Sequence, residues 1–315
     1  MNTFFATLQS VTILLGIGVL GFVLISRKVL PENVLSSLSR LALEIALPCL
    51  IFAKIMRRFS PTDFPGWWLV PLCYVGFVLV STLLAFILTP VVAHKGQRRE
   101  VGAALVYQNA VFVPLVIITE IHGYDSPLLL KLFFFTLLFS PFFFGTAHFF
   151  FNPLTWSGIQ WRKIVNPVVI ATLLGLGFRL TGTHVYVPEA AVSIAELVGA
   201  MSAPLLLIIL GGTIYLDLRA DGAFEWFVVA KFVLAKNIVF PAAALGILLL
   251  WRPDASLAYL IMLQSAVPPI TSLPILVDRN GGDRKIVNHL LVGSFLAAII
   301  TIPLAMAVYA AAFHE

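Results

Sequence analysis

Ten long apolar runs leave this chain few folds to choose from. They lie at 4–26, 34–56, 68–93, 100–121, 127–151, 164–182, 190–214, 224–250, 257–277 and 286–312. A helix rises ~1.5 Å per residue, so about 20 residues cross the ~30 Å hydrocarbon core of a bilayer. Hydrocarbon offers no water to backbone N–H and C=O groups, so spans of this kind must be helical. The expected fold class is therefore an all-α polytopic membrane protein with ten transmembrane helices. Hydrophobic residues make up 60% of the chain and charged residues 11%, which leaves no stretch for a soluble domain. The longest connection, around Asn152 to Lys163, divides the chain into five-span halves, 1–151 and 164–313. All six tryptophans fall at or near span ends, where amphipathic rings prefer to sit. The first run has no basic stretch before it and no small-residue cleavage site, so it reads as a retained span and not a signal peptide.

Two of the runs are interrupted by polar residues and prolines. Gln108-Asn109-Ala110-Val111-Phe112-Val113-Pro114 sits inside span four, and Gln264-Ser265-Ala266-Val267-Pro268-Pro269 inside span nine. Pro114 has no N–H for the carbonyl of residue 110, and its ring crowds that carbonyl, so the ladder is expected to open there. Gln108 and Gln264 stand 156 positions apart, as do Pro48 and Pro204, which suggests a duplicated half. Interrupted segments in corresponding positions of two halves are the sequence pointer to a transporter's binding site.

Lysines and arginines orient the chain. With the N-terminus outside, inward loops carry eleven (Arg27, Lys28, Lys95, Arg98, Arg99, Arg162, Lys163, Arg219, Arg279, Arg284, Lys285) and outward loops five (Lys54, Arg57, Arg58, Arg179, Arg252). Both termini are thus expected outside the cytoplasm. An odd number of spans per half then inverts the second repeat relative to the first, and broken spans four and nine meet at their midpoints as crossing helices. The net charge of +5 reads as this loop bias and not as a nucleic-acid surface.

Polar residues at membrane depth are the candidate functional groups. Gln108, Asn109, Gln264 and Ser265, with Pro114 and Pro268 opening the backbone, are expected to contact substrate. The other reading of Asn109 is a patch for the carbonyls that Pro114 frees. Lys236 lies about 18 Å along span eight by the helical rise, too deep for easy snorkelling. It is expected to neutralise an anionic substrate or to stand in for a coupling cation; the other reading is a structural ion pair. Lys231, nearer the end, can snorkel. Glu44, near the middle of span two, either pairs with Arg40 at i,i+4 spacing or carries a coupling proton. The phenylalanine runs of span five, Phe133–Phe135, Phe142–Phe144 and Phe149–Phe151, read as lipid-facing, and His148 as an interface histidine. Cys49 and Cys73 imply neither a disulfide framework nor a metal site.

Several stretches resemble one known family. Leu41-Ala42-Leu43-Glu44-Ile45-Ala46-Leu47-Pro48-Cys49-Leu50-Ile51-Phe52, the Gln108–Pro114 stretch, Asn166-Pro167-Val168-Val169-Ile170-Ala171-Thr172-Leu173-Leu174-Gly175 and the proline-rich ninth span with its Gly281–Asp283 loop and Ile302-Pro303 are together similar to the auxin efflux carrier family. The likeness covers nearly the whole chain. It departs at the crossover, where Gln108 stands for a glycine and Val111 and Val113 for small residues. The resemblance implies two inverted five-helix repeats, an architecture shared with bile acid–sodium symporters. Spans one, two, six and seven would form a scaffold and homodimer contact, and spans three to five and eight to ten an elevator-type moving core.

The expected function is a secondary carrier of a small organic anion, a carboxylate held where half-helix N-termini converge. The alternative is a cation-coupled symporter of the bile acid–sodium type or a sodium/proton antiporter-like carrier, although no span holds adjacent aspartates. Coupling to a proton or to sodium stays open. An enzyme is not expected, since no His/Cys/Asp/Glu constellation occurs at one depth, and neither is a cofactor, since no phosphate-binding loop appears. A multi-pass location in the plasma (inner) membrane follows.

Overall fold

The computed structural model describes residues 3–151, 164–219 and 224–313, so the Asn152–Lys163 connection, with Trp156, Trp161, Arg162 and Lys163, lies outside the described residues. Among the described residues, seven helices are long and apolar enough to cross a membrane: α1 (Phe4–Ser26), α2 (Val34–Arg58), α3 (Leu69–Val92), α6 (Pro127–Phe150), α8 (Glu189–Leu216), α9 (Trp226–Trp251) and α12 (Arg284–Phe313). The three other expected spans are built differently. Span four is two short helices, α4 (Arg98–Val106) and α5 (Phe112–His122). Span six is the 14-residue α7 (Pro167–Leu180), and span nine divides into α10 (Ala255–Ala266) and α11 (Leu273–Arg279). Among the described residues the only β-type pairing is an isolated antiparallel bridge between Gln108 and Pro269.

Prolines set most of the irregularities. In α2 a π turn occupies Leu41–Ala46 just ahead of Pro48, and in α9 another occupies Leu234–Val239 just ahead of Pro241. Each proline lacks the N–H owed to the residue four before it and crowds that carbonyl, and the helix widens by one residue to relieve it. In α8, Pro204 withholds its N–H from Ala200, and the freed Ala200 carbonyl accepts the Tyr124 hydroxyl at 3.3 Å. Asn166 starts α7 by taking the Val169 N–H on its side chain at 3.0 Å, with Pro167 in the first turn.

Helix pairs on one side of the molecule pack through glycine. A Cβ on Gly211 would land on the Gly18 carbonyl oxygen, and one on Gly21 would land on that of Ile208, so α1 and α8 touch backbone to backbone. Such contact is how membrane helices associate where lipid removes the hydrophobic drive. Gly211→Val is therefore expected to lower the melting temperature in detergent, at about 1–3 kcal/mol or more for overpacking. Gly246→Ala, where an added Cβ meets nothing within 4 Å, is the control and should be neutral or stabilising. Equal melting of the parent and Gly211→Val would contradict this packing.

The phenylalanine runs correct an expectation. Phe133, Phe134, Phe135, Phe143 and Phe151 are buried in the main core, and His148 is buried beside them. Phe134 packs against Phe59, Phe64 and Trp67, and Phe135 against Tyr74 and Phe77. Lipid and protein interior are equally apolar, so phenylalanine content does not say which side a helix face meets.

Three of the five basic residues expected in outward loops turn out to be ion-paired. Lys54 lies 3.1 Å from Asp125 and 3.2 Å from Glu196, and Arg58 lies 3.4 Å from Asp125. Arg57 reaches Glu196 and Glu189, each at 2.7 Å. The network ties the turn after α5 to α2 and α8. The Lys54 hydrogen bond and charge, with a further contribution from Arg58, hold the Asp125 carboxyl below its ordinary value of 3.8. A depressed carboxyl contributes stability above its ordinary value and loses it as pH falls through the folded one. The melting-temperature gap between the parent and Asp125→Asn should thus be small, because Asp125 is exposed and screened, and should close as pH drops below 3.8. A gap that persists unchanged into acid would contradict the assignment.

Candidate functional site

The two interrupted segments meet and hydrogen-bond to each other. The chain leaves α4 at Val106 and re-enters helix at Phe112, and it leaves α10 at Ala266 and re-enters at Leu273. Asn109 N–H donates to the Pro268 carbonyl at 2.8 Å, and Ile270 N–H to the Tyr107 carbonyl at 2.9 Å. Backbone that breaks at depth needs partners from the protein, and here each break supplies them to the other. Pro114 does not sit in the opening itself. It occupies the first turn of α5, where a missing N–H costs nothing.

The side chains complete part of this pairing and leave part open. The carbonyl of Ala110, which Pro114 cannot serve, accepts the Gln264 side-chain amide at 2.6 Å. Asn109 does not patch a carbonyl. Its Oδ1 accepts the Phe112 N–H at 3.1 Å, the first N–H of α5, whose N-cap position is Val111. Ser265 Oγ bonds back to Met262 of its own helix at 2.6 Å. Three buried polar atoms keep no partner: Gln108 Nε2, Asn109 Nδ2 and Gln264 Oε1. Such atoms cost free energy unless something else occupies them.

Lys236 stands beside this junction, in the π turn of α9 and 1% exposed. Its Nζ donates to the Leu105 carbonyl at 3.2 Å, in the last turn of α4, and lies 4.6 Å over the Phe240 ring. Among the described residues no carboxylate comes within ion-pair distance of it, which removes the reading of a structural ion pair. A helix C-terminus carries partial negative charge, so the ammonium is held there by the dipole and one carbonyl.

A family model described as a membrane transport protein matches residues 6–153 and again residues 152–306. The chain belongs to the auxin efflux carrier family. It is accordingly an integral, multi-pass membrane transporter. Comparison with individually curated proteins gave no significant match.

Within this transporter, Gln108, Asn109, Gln264, Ser265 and Pro268 come together at the paired breaks, with Pro114 one turn along and Lys236 one hydrogen bond away through Leu105. Glu44 lies elsewhere. It is exposed on α2 and makes no ion pair with Arg40. The π turn supplies the reason, since widening the helix rotates residues four apart out of register. Lys231 behaves as a boundary residue, bonding the Val91 carbonyl at 3.3 Å.

One residue that the sequence reading passed over holds the site's frame. Asn237, buried next to Lys236, donates to the Ser294 carbonyl and the Thr301 hydroxyl, at 3.2 and 3.3 Å, and accepts from Ser294 Oγ at 2.8 Å. It pins the π turn of α9 to α12 and so fixes the direction of Lys236. The signal available was its place directly after an intramembrane lysine, ahead of Pro241.

Proposed function

We propose that this protein is a secondary carrier of a small organic anion, a carboxylate, and that it works by elevator-type alternating access. The observation that carries the reading is the junction itself. Two buried amide donors without partners, Gln108 Nε2 and Asn109 Nδ2, lie on a break whose next helix, α5, begins with N–H groups, and Lys236 has no carboxylate of its own. Half-helix N-termini favour a carboxylate, and half-helix C-termini favour a cation. On this reading Gln108, Asn109, Gln264 and Ser265 orient the anion, Pro268 keeps the backbone open, Pro114 leaves the Ala110 carbonyl to Gln264, and Lys236 balances the charge.

The remaining architecture follows the same reading. Residues 1–151 and 164–313 are two inverted five-helix repeats, supported by the consecutive family matches and by the 156-residue offset of Gln108 and Gln264. Broken spans four and nine cross, both termini lie outside the inner membrane, and α1, α2, α7 and α8 form a dimeric scaffold around a moving core. Lys236 already occupies a helix C-terminal position of the kind that a coupling cation takes, so transport is expected not to need sodium. Glu44 is then the titratable group through which a proton would couple.

A thermal-shift screen of the purified protein against carboxylates, with and without sodium and across pH, tests the function. A ligand that binds the folded state raises the melting temperature by mass action. At least one small carboxylate should do so without sodium, and its neutral amide should not. Stabilisation by neutral solutes alone, or only in the presence of sodium, would overturn the reading.

A further inference from the structure

We propose that a groove between α3 and α4, which reaches Val106 at the end of α4, binds an anionic phospholipid. The groove has a volume of about 430 Å³ and is lined at one end by Arg98 and Arg99 and elsewhere by Ala85, Phe86, Thr89 and Phe150. Both arginines are exposed, and among the described residues neither guanidinium makes an ion pair or hydrogen bond. The acidic groups nearby do not pair with them among the described residues. Glu100 is buried, with Oε1 accepting the Asp283 N–H at 3.0 Å and Oε2 left without a partner, and Glu225 takes the Gln97 amide at 2.8 Å on each oxygen. Two guanidinium forks thus stand open at the point where α3 ends and α4 begins, the boundary of a membrane span.

The other wall decides what kind of anion fits. Phe86, one turn deeper on α3, is 81% exposed, and Thr89 spends its hydroxyl proton on the Ala85 carbonyl at 2.6 Å. A charged mouth therefore opens onto an apolar floor that leads toward the membrane interior. Guanidinium forks match phosphate oxygens two at a time, and basic grooves on the cytoplasmic side of membrane helices suit anionic headgroups. A soluble phosphate would satisfy the arginines and leave Phe86 bare. A choline headgroup would bring a cation to two cations. A phospholipid with a net negative head, such as phosphatidylglycerol, satisfies both ends, with its phosphate on Arg98 and Arg99 and an acyl chain along Phe86. Bound there, it bridges α3 and α4 at the foot of the broken segment.

The test uses the full-length protein in detergent, titrated with mixed micelles of phosphatidylglycerol, of phosphatidylcholine, or with glycerol 3-phosphate alone. The readouts are melting temperature and retained lipid by native mass spectrometry. Phosphatidylglycerol should stabilise and be retained, and the other two should not. Arg98→Gln/Arg99→Gln should weaken that preference roughly thirtyfold, at about fivefold for each basic residue. Arg279→Gln/Lys285→Gln, which removes the same charge elsewhere, should leave it unchanged. Equal retention by the Arg98/Arg99 variant, an equal effect of glycerol 3-phosphate, or an equal loss in the control pair would each overturn the proposal. A check that needs no loss of charge is Phe86→Trp, whose added fluorescence should be quenched more by brominated phosphatidylglycerol than by brominated phosphatidylcholine. Equal quenching would also overturn it.

Discussion

Lys236→Met is expected to abolish anion binding while leaving the empty protein as stable as the parent, or more so. The lysine is fully buried, bonded to one carbonyl and unpaired with any carboxylate among the described residues. A buried charge without a partner is costly, and replacing buried charge by an apolar side chain of similar length is often neutral or stabilising. Removing one member of a buried charge pair costs about 2–5 kcal/mol in binding, which is roughly thirtyfold to several thousandfold in affinity. The signature is thus a split between the two readouts. Melting temperature of the empty protein should hold or rise, and the shift produced by a carboxylate should vanish. A variant that melts much earlier yet keeps the carboxylate shift would make Lys236 a structural residue.

Asn109→Ser separates the two jobs that the structure gives this side chain. A serine hydroxyl oxygen accepts an N–H as an amide oxygen does, so it keeps the Phe112 N–H and the start of α5 is preserved. What it lacks is the amide nitrogen, the buried Nδ2 atom that has no partner. Loss of a hydrogen bond to a charged ligand is worth about 1.5–3 kcal/mol, or roughly ten- to a hundredfold in affinity. Asn109→Ala should add a stability loss of about 1–3 kcal/mol, because the buried Phe112 N–H then loses its acceptor. Paired titrations and melting curves on the two variants check this. If serine binds the anion as the parent does, Asn109 only holds the Phe112 N–H.

Much of the fold could be read from the sequence because a bilayer enforces it. Hydrocarbon demands long apolar helices, and prolines with amides at depth mark where helices stop. The opening at the Ala110 carbonyl was legible from Pro114, but its partner was not, since Gln264 lies 154 residues away and only packing brings it there. Whether Arg40 pairs with Glu44 was left open, because regular helical spacing cannot anticipate a π turn. The phenylalanines of α6 were assigned to lipid because composition carries no direction where both sides are apolar. Lys236 was visible by depth alone. Its neighbour Asn237 was not, because an amide inside a membrane helix becomes informative only once its bonds to Ser294 and Thr301 are seen.

The central claim is that the paired breaks and Lys236 form one anion site, and the structure of the complex tests it most directly. The complex is to be solved with the carboxylate that most stabilises the protein in the thermal-shift screen. The account expects the carboxylate at the junction, within hydrogen-bond reach of Asn109 Nδ2 and facing Lys236 Nζ. A carboxylate bound away from Gln108, Asn109 and Gln264, with Lys236 still resting on the Leu105 carbonyl alone, would contradict it.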